Sequence, residues 1–221
     1  MENKPVINDY LNEIAKQGVK VTVRKKSESA LMRFIGALFK ITGISPKFMD
    51  EYFTTIGTTI YVPDRFYDFP EIRLLETIIH ECVHARDFSK NPFLFVFMYL
   101  FPQILSSLAL IAIFAFLNIN LLWFLFALVF LAPIPAIGRF ILEIRAYRTS
   151  IIYFKVVYGY TDTELKSLYK WIIGQLATKY YYFTWPFPKH MEKVLEERDF
   201  MSKEEYKQIT KFLEVNVDRL R

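Results

Sequence analysis

Two histidines four residues apart, His80 and His84, bracket a glutamate at position 81 in the run His-Glu-Cys-Val-His. Residues four apart lie on one face of a helix, so both imidazoles can reach a single ion. Glu81 then stands beside that ion without being a ligand. Zinc lowers the pKa of a bound water to about 7, and a carboxylate in this place takes the water's proton as hydroxide attacks a carbonyl. The chain has three histidines and fifteen glutamates. Random placement at that composition gives roughly 0.003 matches to HExxH, so a match that uses two of the three histidines is a specific signal.

A zinc site of this kind takes a third protein ligand and leaves the fourth position to water. Glu143 and His190 are the candidates. Glu143 opens the run Glu-Ile-Arg-Ala-Tyr, whereas His190 follows Pro188-Lys189 in a polar segment, where a solvated histidine is the plainer reading. Cys82 falls on the opposite helical face from the metal and reads as packing. Glu76 and Asp87, four before His80 and three after His84, read as supporting or surface carboxylates. Glu81-x-x-His84 is also half of a di-iron carboxylate pattern. That chemistry needs a second ExxH, and position 146, three after Glu143, is alanine.

The elements that must position these residues can be read from periodicity. Residues 6–17 show helical spacing ended by Gly18, 19–23 alternate as a short strand, and 28–41 return to a helical pattern. Thr54 to Val62 is rich in β-branched residues around Gly57 and reads as a strand or tight hairpin stopped by Pro63. A helix follows, with Asp68 as cap, Pro70 in the first turn and Glu71 three residues after the cap. It carries the histidines, and it is apolar on nearly all sides, as a buried helix is.

From Asn91 to Gly138 there is no charged residue. About 20 residues cross a bilayer once, so this run accommodates two spans, 92–117 and 119–138, turning at 118–120. Basic residues flank its entry (Arg86, Lys90) and exit (Arg139, Arg145, Arg148), and the positive-inside bias puts both soluble flanks in the cytoplasm. Beyond it, 140–158 reads as a helix. Thr161 and Glu164 open another with Leu165, Leu168, Trp171, Ile172 and Leu176 on one stripe, 180–188 forms an aromatic belt, and Ser202 with Glu205 caps a last charged helix. The net charge of +5 does not argue for nucleic acid and suits anionic lipid. With Cys82 the single cysteine, no intrachain disulfide is available, and the N-terminus lacks the apolar core of a cleaved signal peptide.

The expectation is therefore a mainly α chain with a short β segment before the active-site helix: a zincin-like part over 1–90, a transmembrane hairpin over 91–138, and a helical part over 139–221. The order of HExxH, two hydrophobic spans and Glu-x-x-Ala resembles the membrane gluzincin peptidases of the HtpX and CAAX-prenyl-protease type, over about residues 54–150. The resemblance implies zinc held by His80, His84 and Glu143, Glu81 as general base, and a cytoplasmic site cleaving a peptide or protein. Two positions depart from that pattern. Tyr147 stands where the family has an aspartate that orients a metal histidine; a phenol can orient a histidine, stabilise an oxyanion, or simply pack. Arg86 stands where the motif is apolar. The competing expectation is a non-catalytic membrane or assembly protein that keeps a structural zinc.

Overall fold

The computed structural model describes residues 4–43, 45–101, 135–177, 188–196 and 202–221. The described residues are mainly helical with one small sheet. It divides into two compact units: Met1–Pro92, Arg145–Leu165 and Met201–Arg221 in the first, Phe93–Ile144 and Lys166–Phe200 in the second.

The first unit opens with α1 (Pro5–Lys16), which buries Val6, Ile7, Tyr10 and Ile14 on one stripe. Its end is a Schellman turn: Gly18 adopts φ +88, and the amides of Gly18 and Val19 return to the carbonyls of Ala15 and Ile14. Val19 thus belongs to the helix stop, and strand β1 (Thr22–Lys25) begins later than the alternation at 19–23 predicts. Ser29 caps α2 (Ala30–Thr42), accepting from the Met32 amide, and α3 (Phe48–Glu51) follows. The predicted hairpin forms as β2 (Thr54–Ile56) and β3 (Thr59–Val62), antiparallel around Gly57 at φ +63. β3 also pairs in parallel with β1, Thr22 opposite Thr59 and Lys25 opposite Val62, giving the order β1-β3-β2.

Short helix α4 (Asp64–Tyr67) separates the sheet from the long helix α5 (Glu71–Lys90). The predicted cap is corrected here. Asp68 ends α4, and α5 starts behind Pro70 with no side-chain cap. The Glu71 carboxylate instead accepts the Ile7 amide at 2.7 Å, satisfying an orphan donor of the first turn of α1. Leu74, Leu75, Ile78, Ile79 and Cys82 of α5 form the core with the α1 stripe, with Ile60 and Val62 of β3, and with Ile152, Tyr153 and Val157 of a later helix.

Helix α6 (Pro92–Leu100), which passes into the second unit at Phe93, carries exposed apolar side chains, among them Phe93 and Phe97. Among the described residues no helix is long and apolar enough to cross a membrane. The predicted spans lie mostly at 102–134, and the turn at 118–120 wholly so, outside the described residues; the aromatic belt at 180–188 likewise falls almost entirely outside them. Helix α7 (Ile137–Val157) runs unbroken. Thr161 and Glu164 make the expected reciprocal cap of α8 (Asp162–Leu176), whose Leu165, Ile172 and Leu176 are buried. Trp171 departs from the predicted stripe and is 54% exposed. Helix α9 (Pro188–Glu196) and helix α10 (Lys203–Leu220) complete the chain, the latter with the predicted Ser202–Glu205 capping box.

Candidate metal centre

The first unit aligns α5 against α7 residue by residue. At one end the Arg145 guanidinium donates to Asp87 at 2.8 Å. At the other end the Tyr153 hydroxyl donates to the Ile72 carbonyl in the first turn of α5. Between them the Tyr147 ring meets the His80 ring edge-on, centroids 4.8 Å apart. Rising numbers on α7 thus meet falling numbers on α5, so the two helices are antiparallel. Glu143 lies one turn before Tyr147 on the same face of α7.

His80, His84 and Glu143 each offer one ligand atom, and the three atoms all lie within 4.8 Å of one another. All three residues are buried. The two histidine rings meet edge-on with centroids 5.2 Å apart. Two imidazoles and a carboxylate gathered on packed helices form a donor set that suits zinc and also other first-row divalent ions. Among the described residues this is the grouping that fits a metal.

Other side chains fix these donors. On Glu143, the Tyr99 hydroxyl donates to Oε1 at 3.2 Å and the Arg139 Nε lies 3.9 Å from the same oxygen. Arg139 also approaches the Tyr99 hydroxyl at 3.4 Å and lies over its ring. Glu81 is partly exposed. Its Oε2 accepts the Thr55 hydroxyl of β2 at 2.6 Å, so the sheet edge and the motif glutamate are joined directly.

Asp87 is a buried carboxylate within an ion network. Burial raises its pKa, and the charges of Arg145 and His84 oppose that rise. The network continues from Arg145 to Glu205 at 3.8 Å and from Glu205 to Arg86 at 2.7 Å. Arg86, out of place in an apolar motif position, thereby ties α5 to α10. Burial works against the charge on Glu205, but the Arg86 hydrogen bond and charge hold its pKa below the usual carboxylate value. Cys82 packs in the core, and burial pushes its thiol up to about 12. Glu76 accepts the Thr77 hydroxyl at 3.1 Å. His190 is exposed, with its ring 6.5 Å from Phe140, and is not a member of the histidine–carboxylate grouping.

Ligand atoms of His80, His84 and Glu143 thus lie within 4.8 Å of one another, with Tyr147 against His80, whereas His190 stands outside the grouping. The sequence gives no role to Thr55 or Tyr99, and Arg139 reads there only as a basic flank of the uncharged run. Arg139 carried a signal, standing four residues before Glu143 on one helix; the other two contact their partners across 26 and 44 residues. Compared with known family profiles, curated proteins and solved structures, the chain matches none.

Proposed function

We propose that the protein is a zinc-dependent, membrane-associated peptidase of the kind its motif order resembles. The observation that carries this reading is the buried grouping of His80, His84 and Glu143 beside the partly exposed Glu81. When bound, zinc supplies a Lewis acid and lowers the pKa of a coordinated water to about 7. The chain's own residues do the rest. His80, His84 and Glu143 hold the ion, with Tyr99 and Arg139 orienting the carboxylate. Glu81 accepts the proton and hands it to the leaving amine. Thr55 keeps one Glu81 oxygen engaged, so the other is left to face the proton it takes. Tyr147 braces the His80 ring. Strand β2 ends the sheet beside Glu81, and its outer edge offers main-chain pairing to an extended peptide.

A membrane location is supported by the uncharged run from Asn91 to Gly138, by its basic flanks, and by the exposed Phe93 and Phe97. With both flanks on one side, the site faces the cytoplasm. A structural metal in a non-catalytic membrane protein is the second reading, favoured by the burial of all three donors. Metal content and proteolysis separate the two. We expect zinc in the purified protein, its loss in His80→Ala, weaker retention in Glu143→Gln, and a Glu81→Gln variant that keeps the metal and cleaves nothing. Cleavage undiminished in Glu81→Gln would sink the mechanism; metal content indifferent to the histidines would sink the site.

A further inference from the structure

Helix α2 presents a face that the rest of its own unit leaves uncovered. Met32 and Gly36 are buried, and Gly36 sits so close to α3 that an added Cβ would meet the Met49 side chain at 2.6 Å. The opposite face carries Leu31, Phe34, Leu38 and Ile41, which are 49, 67, 47 and 84% exposed. At about 100° per residue these four fall within a sector of about 80°. Arg33 and Lys40 fall together between that sector and the buried face, and the helix bears no acidic residue. The surrounding segment, residues 20–47, has a single acid, Glu28, against seven Lys or Arg, of which all but the buried Lys26 can face solvent.

We infer that α2 is an in-plane anchor that lays its Leu31–Phe34–Leu38–Ile41 stripe into an anionic lipid surface. Thirteen residues rise about 20 Å, too short to cross a hydrocarbon core of about 30 Å, so the helix lies along the interface. An exposed aromatic and aliphatic stripe edged by basic residues is the pattern of interfacial helices, where apolar burial and attraction to anionic headgroups add. Charge complementarity selects the occupant: the stripe has no polar group to fix the register of a protein partner, and its surroundings favour a negative surface. The inference is independent of the metal reading.

The test uses the full chain, with Cys82→Ala, carrying a single cysteine at position 34, 41 or 13 labelled with an environment-sensitive fluorophore. The protein is placed in vesicles of phosphatidylcholine alone or mixed with phosphatidylserine. At positions 34 and 41 we expect a blue-shifted emission, several-fold less quenching by aqueous iodide, and strong quenching by lipids spin-labelled in the acyl chain. Position 13, on an exposed face of α1, stays open to iodide. Adding Arg33→Glu and Lys40→Glu to the position-41 protein should restore iodide access in the mixed vesicles more than in phosphatidylcholine. All these positions are exposed, and circular dichroism checks that the variants fold. Undiminished iodide quenching at 34 and 41 overturns the proposal. So does shielding from iodide without quenching by lipid, which means that protein covers the stripe. An equal response of the charge variant in both vesicles overturns the choice of an anionic surface.

Discussion

Lys26 has no solvent-accessible surface, yet it carries a titratable amine. Its Nζ donates to the Phe48 carbonyl at 2.7 Å and lies 3.5 Å from the Phe48 ring centroid. Burial pushes its pKa down to about 7, against the opposing charges of Glu81 and Asp50. Above that value the unfolded chain holds a proton that the folded chain has released. Stability therefore rises as pH climbs from about 7 toward the ordinary lysine value of 10.5, and is lowest below about 7. Lys26→Met keeps the volume and removes the charge. We expect it to be more stable than the parent at slightly acid pH by roughly 1–2 kcal/mol and to lose the rise with pH. Urea unfolding of both proteins across that range checks this; a parallel pH dependence would contradict it. At this scale the pairing of His80 with His84 was legible because one helical repeat puts both on the same face of α5. Lys26 was not, since three basic residues in a row (Arg24, Lys25, Lys26) look alike until the fold turns one inward.

Two glycines on helices make opposite predictions. A Cβ on Gly138 of α7 would lie 2.6 Å from the Met98 carbonyl oxygen and 2.8 Å from its Cα, both backbone atoms of α6. Backbone cannot step aside as a side chain can, so Gly138→Ala should destabilise by about 1–3 kcal/mol. Among the described residues a Cβ on Gly174 of α8 meets nothing within 4 Å, so Gly174→Ala should stabilise by roughly 0.5–1 kcal/mol through the lower entropy of the unfolded helix segment. Thermal melting followed by circular dichroism should move in opposite directions, and a shared direction would refute the packing of α6 on α7. Elements with local signals were the legible ones: the Thr161 and Ser202 capping boxes and the Gly57 turn stand where the sequence puts them. Asp68 misled because its local pattern suits a cap, while the chain uses Glu71 to hold Ile7, 64 residues away, a contact that no local reading can weigh.

For the molecule as a whole, a metal that binds the folded chain alone stabilises it by mass action. At a free metal concentration 100 times Kd the gain is about 2.7 kcal/mol. We expect chelation to lower the melting temperature of the parent and of Glu81→Gln alike, and to have little effect on His84→Ala. A parent indifferent to chelator would argue against any bound ion. The helix-rich architecture was legible from periodicity. The first unit gathers Met1–Pro92, Arg145–Leu165 and Met201–Arg221 through long-range contacts that periodicity does not carry.

The seam between α1 and α10 bears on how the chain is made. Tyr10 packs edge-on against Phe212, Asp9 accepts from Arg219 at 2.9 Å, and Gln17 pairs with Gln208. At roughly 5–20 residues per second, about 10–40 s of translation separate the emergence of Tyr10 from that of Phe212. Throughout that interval the apolar stripe of α1 lacks its last cover, and Arg86 waits for Glu205. The histidine helix therefore reaches its final packing only once Lys203–Leu220 has been made, and a nascent chain halted before Lys203 should be a client for chaperones that hold exposed apolar helices.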